Sequence, residues 1–314
     1  MASASASPAI PAPPRHANAA TTPPKPAWLK VAPAIFLVFW SNGFVASKIG
    51  LVHVEPLTFL TLRYAIVVAV LLVAYAIFRP PLPATRMAWV HLAVVGLLLQ
   101  AAYFATAFIA MSHGMSAGGV SLITSLQPIL VGVFAPMIAN ERVGPRQWLG
   151  LAMGVGGSAL VIAAKSSVDL ASTLGLIFAV VSLVTLTAGT LWEKRFGQDA
   201  HPVSANLIQY VVALAATAPL AWTFETMAVD WTWSLGGALA YLVVCNSLIA
   251  MSLLLAMLRH GEASRVSALF FLVPPGTAIF AFLLLGERIP LLAWPGMVLA
   301  AVGILLVTRR PKAA

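Results

Sequence analysis

Long apolar stretches alternate with short polar connections along this chain, and the stretches have the length of membrane-crossing helices. About 20 mainly apolar residues, rising 1.5 Å each, cover the ~30 Å hydrocarbon core of a bilayer. Ten stretches are long enough to be predicted as helices: 31 to 51, 56 to 78, 87 to 111, 115 to 138, 146 to 163, 172 to 192, 203 to 222, 233 to 257, 263 to 285 and 291 to 308. The connections leave no room for a separate soluble domain. The first 27 residues are mostly Ala, Pro, Ser and Thr without an apolar run, and predict a disordered tail. They lack the pattern of a cleaved signal peptide, so the first span is expected to act as an uncleaved targeting signal.

Slid 146 positions along itself, the chain matches: Lys48 falls on Lys194, Pro56 on Pro202, Tyr64 on Tyr210, Pro128 on Pro274, Glu141 on Glu287 and Gly157 on Gly303. The protein reads as a tandem duplication, with repeats over 28–164 and 165–310 after the 1–27 tail. Each repeat holds five of the ten stretches. Five is odd, so the second repeat enters the bilayer from the side opposite the first. The expected fold class is an all-α membrane protein of ten transmembrane helices in two inverted five-helix repeats. Such repeats bring alternating access with them, because exchange of conformation between the halves converts one open side into the other.

Composition agrees. With 61% hydrophobic and 9% charged residues, and a mean hydropathy of +0.95, the chain is far more apolar than a soluble domain. If the N-terminus is cytoplasmic, 14 basic residues fall inside against Lys48, Lys165 and Arg288 outside, with Arg63 left within the second span. This positive-inside bias predicts both termini in the cytoplasm. The net charge of +9 is therefore read as topology, and no nucleic-acid partner is expected, because the basic residues form no continuous stripe. The single cysteine, Cys245, excludes an internal disulfide and is expected to be buried and inert.

Three segments then carry a family resemblance: FWSNGFVASKIG in the first span, and the twin segments SLQPILVGVFAPMIANERVGPRQWLG and FLVPPGTAIFAFLLLGERIPLLAWPG. With an Arg in the second span, they resemble the EamA-type branch of the drug/metabolite transporter superfamily over about residues 30 to 310. The resemblance implies a multi-pass carrier of the bacterial inner membrane that exports amino acids or related metabolites. It also implies a central cavity lined by helices one, three, four, six, eight and nine. One departure is that the second repeat has Gln209 where the first has Arg63.

Polar side chains in mid-span are the informative ones, because an unpaired polar group in hydrocarbon costs several kcal/mol. Gln100 and Asn246 are repeat partners, each ~20 Å along its helix and near the midplane. Either they bind a substrate from opposite sides or they glue neighbouring helices. On an α-helix Tyr103 shares the face of Gln100. Ser121, Ser125 and Pro128 form one stripe while Gln127 points elsewhere, and Ser125 is taken as a contact residue. Pro128 and its partner Pro274 interrupt their helices, the usual mark of a transporter site. Pro275 is expected to make the second break the sharper one, so Pro128, Pro274 and Pro275 are the candidate gates. Trp40 offers a stacking surface and Asn42 an amide in the first span. Trp192 reads as an interface anchor. Arg63, ~10 Å deep, is positioned to attract a substrate carboxylate toward an outer vestibule or to bond helix carbonyls. Lys48 is read as either part of that vestibule or a snorkelling residue.

All nine acidic residues lie in loops or at span ends, which counts against a cation or multidrug antiporter, the alternative carrier reading. Glu141 and Glu287 are read as local charged helix ends. The spacing of Gly150, Gly154 and Gly157 against Gly296, Ala300 and Gly303 predicts close helix contacts within the bundle, or a homodimer seam. The histidines are scattered and no HExxH or buried acid pair occurs, so the enzyme alternative lacks its chemistry. No cofactor or metal is expected. The partners are a small-molecule substrate and the lipid bilayer.

Overall fold

The computed structural model of the protein describes residues 27–139, 141, 143–164, 173–197, 200–285 and 289–308. The expected tail, up to residue 26, lies outside the described residues, as do Arg142, Lys165, Glu287 and Arg288. A short 3-10 turn, Ala27–Lys30, leads into helices α1 (Ala32–Gly50), α2 (Pro56–Phe78), α3 (Arg86–Ser112), α4 (Ala117–Ile138) and α5 (Pro145–Ala164). These are followed by α6 (Thr173–Phe196), α7 (Pro202–Phe224), α8 (Trp233–His260), α9 (Ala263–Leu284) and α10 (Ala293–Thr308). Among the described residues the only strand-like feature is an isolated bridge between Val54 and Val229. Among the described residues eight helices, α1 to α4 and α6 to α9, are long and apolar enough to cross a membrane. Their ends follow local chemistry. Proline opens α2, α5 and α7, where its missing N–H has no intrahelical partner to lose. Thr85, Ser116 and Thr232 cap α3, α4 and α8 through their hydroxyls.

Contacts between helix ends sort them onto two faces. At one, which also carries the start of α1 and the end of α10, the Trp28 ring meets His260 and Ser204 Oγ donates to the Pro81 carbonyl at 2.9 Å. At the opposite face the amide of Asp230 donates to the carbonyl of His53 at 3.0 Å.

Two departures from straight α-helix occupy equivalent positions in the two repeats. A π-helical stretch covers Gly96–Ala102 in α3 and another covers Leu242–Ala250 in α8, the starts being 146 residues apart. Wide i→i+5 turns of this kind concentrate at functional sites. Helix α4 unwinds at Ser125 and Leu126 before resuming as Gln127–Ile138, whereas α9 tightens into 3-10 over Ala268–Leu272 before Val273–Leu285. The chain thus runs through Pro274 and Pro275 without leaving helix, whereas α4 is interrupted just before Pro128. Pro274 and Pro275 stand in the first turn of an α-segment, where their missing N–H groups break no bond, and the 3-10 stretch carries the chain through without a gap.

The expected helix seam is intramolecular. A Cβ on Gly157 would lie 2.4 Å from the Ala300 amide nitrogen, and one on Gly150 would lie 2.5 Å from the Gly303 carbonyl oxygen, so α5 and α10 touch backbone to backbone. This contact uses the small-residue faces inside one chain. Cys245 is only half-buried, since it stands on the outward side of the π-stretch of α8. Replacing Gly157 by Leu should therefore push α5 and α10 apart and cost about 1–3 kcal/mol or more, read as a lowered unfolding midpoint in detergent. Gly236→Ala, at a glycine with nothing within 4 Å of an added Cβ, should leave that midpoint unchanged.

Candidate functional site

The helix α1 sequence places Trp40, Gly43 and Ser47 along one face, and this face meets α3 and α8. The Trp40 indole is 2% exposed and stacks on Tyr103 with centroids 6.1 Å apart and planes at 13°. The edges of Phe104 and Phe270 close around it at 5.9 and 5.5 Å. Beside the stack lies a small pocket of about 10 Å³, room for one water, bounded by Trp40, Gly43, Ser47, Tyr103, Phe104 and Asn246. Gly43 is required there, since a Cβ would stand 2.5 Å from Asn246 Nδ2.

Behind the pocket lies a fully buried charge. Arg63 is 0% exposed; its Nε donates to Ser247 Oγ at 2.8 Å and its Nη2 to Asn246 Oδ1 at 2.7 Å. Its guanidinium carbon stands 4.3 Å over the Phe104 ring, a cation–π contact worth about 2 kcal/mol when desolvated. Tyr64, next in sequence, donates its hydroxyl to the Gln100 carbonyl, and its repeat partner Tyr210 donates to the Ser247 carbonyl at 3.1 Å. Both carbonyls belong to the π-stretches, where the regular helical bonding is displaced, so each repeat satisfies its own wide turn across to a tyrosine. The two tyrosine rings meet at 5.6 Å.

Gln100 and Gln209 are also 0% exposed, and neither side-chain oxygen nor nitrogen of either has a hydrogen-bond partner. They belong to neighbouring elements: a Cβ on Gly96 of α3 would stand 2.6 Å from the Gln209 carbonyl oxygen of α7. The expected amide pair is thus split. Asn246 lines the pocket, and Gln100 does not. Tyr103 lines it without Gln100 because the π-stretch between them changes the turn angle that the α-helical spacing assumed. Arg63 opens on no outer vestibule in this conformation; it is sealed against Asn246 and Phe104.

Other candidates take plainer positions. Asn42 is half-buried with its Oδ1 unpartnered, near the Tyr241 hydroxyl, which donates to the Phe39 carbonyl at 3.1 Å. Ser125 turns its hydroxyl back onto the Leu122 carbonyl at 2.7 Å, a bond that loops the serine onto its own turn rather than toward a cavity. The unwinding at Ser125 and Leu126 instead swings Gln127 inward, where Nε2 donates to Thr190 Oγ1 at 3.1 Å and to Ser267 Oγ at 3.2 Å. On an unbroken helix Gln127 would point elsewhere. Beyond Pro274 and Pro275, Thr277 Oγ1 donates to the Ser41 carbonyl at 3.1 Å, binding α9 to the Trp40 segment of α1. Trp192 packs on Phe196 and His91 rather than standing alone, and Lys48 is exposed.

A carboxylate from one half caps a helix of the other at each face, the exposed N–H groups of a first turn favouring negative charge. At the opposite face Glu225 accepts from the amides of Leu57 and Thr58 and from Thr58 Oγ1, all at 2.7 Å. Glu55 accepts from the amide and hydroxyl of Thr226 at 2.8 and 2.6 Å, and His53 meets Asp230 at 3.1 Å. At the N-terminal face Glu141 accepts from the amides of Ala263 and Ser264 at 2.6 and 3.2 Å and from Ser264 Oγ at 3.1 Å, with Lys194 at 3.9 Å. The local pairing expected for Glu141 is replaced by a bond across the repeats. Glu193, in the last turn of α6, is buried and bonded to Arg259 at 2.7 Å. No group of three or more His, Cys, Asp or Glu side chains suited to a metal occurs among the described residues.

The comparisons with known proteins cover this whole arrangement. The model of the EamA-like transporter family matches residues 30–163 and again 173–309. An uncharacterized transporter of Bacillus subtilis, YvbV, is 26% identical over 281 residues, covering 89% of this chain and 91% of that protein. A probable amino-acid metabolite efflux pump of Salmonella typhimurium is 27% identical over 286 residues, covering 86% and 91%, and one of Escherichia coli is 26% identical over 283 residues with the same coverage. One crystal structure, 18% identical, superposes with a TM-score of 0.74 over 89% of this chain and 97% of that one, a likeness of fold. The chain belongs to the EamA-like transporter family of the drug/metabolite transporter superfamily and is a multi-pass membrane transporter.

Proposed function

We propose that this transporter exports amino acids or similar small metabolites across a bacterial inner membrane by alternating access. In this reading ten spans form two inverted five-helix repeats with both termini in the cytoplasm, and the substrate lies between the Trp40–Tyr103 stack and Asn246. The observation that carries it is that pocket, bounded by α1 and α3 of one repeat and α8 of the other. Amino-acid export is favoured by two relatives that are each a probable amino-acid metabolite efflux pump. A stacking surface beside an amide suits a small molecule with one apolar and one polar end.

The carboxylate clasps supply the two-state element. With both engaged the pocket is occluded; release of Glu225 and Glu55 opens the opposite face, and release of Glu141 opens the N-terminal face. Loss of a cap is worth about 1 kcal/mol, a roughly fivefold shift in population. In a Cys245→Ser background carrying Ser47→Cys in the pocket, Glu225→Ala should raise maleimide labelling from the periplasmic side. Glu141→Ala should raise it from the cytoplasmic side. Equal labelling from both sides in both variants is the result that defeats the two-clasp mechanism.

Counterflow in proteoliposomes loaded with amino acids, purines or sugars tests the function itself. Accelerated exchange is expected for amino acids, and Trp40→Ala and Asn246→Ala should each slow it about tenfold or more while the protein remains monodisperse. Exchange confined to purines or sugars removes the amino-acid assignment, and wild-type rates in both variants remove the site.

A further inference from the structure

Arg63 is a charge the fold holds without an opposing charge. It is fully buried, its two hydrogen bonds run to the neutral groups Asn246 Oδ1 and Ser247 Oγ, and its Nη1 has no partner. No carboxylate pairs with it among the described residues; the single buried acid there, Glu193, is bonded to Arg259 at the N-terminal face. A buried cation without a counter-charge is among the costliest arrangements a membrane protein carries, and as a rule it marks a ligand or ion path.

The duplication shows that packing does not demand the charge. The equivalent position in the second repeat is Gln209, equally buried at 0% exposure, beside the equivalent tyrosine. One neutral amide fills in α7 the place that a guanidinium fills in α2. The charge at position 63 therefore answers to something other than the architecture. The unpartnered amides of Gln100 and Gln209 are neutral and leave it uncompensated.

Resting on the carrier reading above, we propose that Arg63 is the recognition point for a substrate carboxylate, reached from the Trp40–Tyr103 pocket through Asn246. Asn246 belongs to both places: its side chain bounds the pocket and its Oδ1 holds Arg63 Nη2. A carboxylate entering from the pocket displaces that amide and takes the Nη edge of the guanidinium, whose planar fork matches two carboxylate oxygens. The apolar end of the substrate then rests against Trp40 and Tyr103. The Phe104 ring, already 4.3 Å from the guanidinium carbon, keeps the cation partly compensated while the site is empty. The transported compounds are accordingly carboxylates, and a molecule of the same shape with an uncharged amide in its place is excluded.

The test uses the full chain in nanodiscs and proteoliposomes at pH 7.5. The twenty L-amino acids and three monocarboxylates (acetate, benzoate and indole-3-acetate) are each measured beside the corresponding primary amide, by thermal stabilisation and by inhibition of counterflow. Carboxylates should bind at least about tenfold more tightly than their amides, the size expected for one charge-assisted hydrogen bond. In Arg63→Gln, which makes the two repeats alike at this position, that preference should disappear, while Arg63→Lys keeps part of it. If amides bind wild-type protein as well as carboxylates do, the carrier stands and the role of Arg63 falls. A folded Arg63→Gln that retains the full preference overturns it equally. Should that variant not fold, the acid–amide comparison on wild-type protein decides alone. If no compound of the panel is bound or exchanged, the amino-acid carrier reading itself fails, and the proposal with it.

Discussion

The constraint on which this structure depends is that hydrocarbon offers no hydrogen bonds, so every polar group within the spans must find its partner inside the protein. The interior meets it by pairing across the duplication. Arg63 of the first repeat bonds Asn246 and Ser247 of the second. Within each repeat Tyr64 or Tyr210 serves a carbonyl in the π-stretch of α3 or α8, and the two tyrosine rings meet across the repeats. Gln127 joins α4 to α6 and α9 through Thr190 and Ser267. These bonds are few and directional, so they set how the halves register on one another. The apolar surface around them only requires that Leu, Val and Ile face outward.

The same constraint makes the exceptions informative. Gln100 and Gln209 hold four buried polar atoms without partners, and Arg63 holds one nitrogen more. All three lie in α2, the π-stretch of α3 and α7, the elements that Tyr64 and Tyr210 knit together. Unpartnered buried polar atoms also occur elsewhere, on Ser41, Thr61 and Ser182 among others, and what sets Arg63 apart is its charge. The clasps at the two faces are built on a different economy. Glu225 and Glu141 each meet two helix amides and a hydroxyl at partly buried helix ends.

Much of the candidate site was legible because the duplication could be read at single-residue resolution. Trp40, Tyr103 and Asn246, three of the seven substrate-contact candidates, come together around one pocket, and Arg63 joins them through Asn246. Residues such as Ser247 and Phe104 escaped notice because serine and phenylalanine are ordinary in apolar helices, and only their position against Arg63 makes them distinctive. Glu193 was counted as a span-end acid; that α8 presents Arg259 to it is a matter of how two distant helices dock.

By itself, the sequence determined the all-helical class, the helix boundaries to within a few residues, the 146-residue repeat and the placement of small residues where α5 meets α10. Each of these follows from local length, hydropathy or composition, which a linear pattern carries. The tertiary structure alone decided the π-stretches, the unwinding before Gln127, the continuity of α9 through Pro274 and Pro275, and the reach of Glu141 to a helix 122 residues away. A turn widens or breaks according to which neighbouring helix can accept its displaced bonds. That choice belongs to the packed bundle, since spacing along the chain assumes an undisturbed helix.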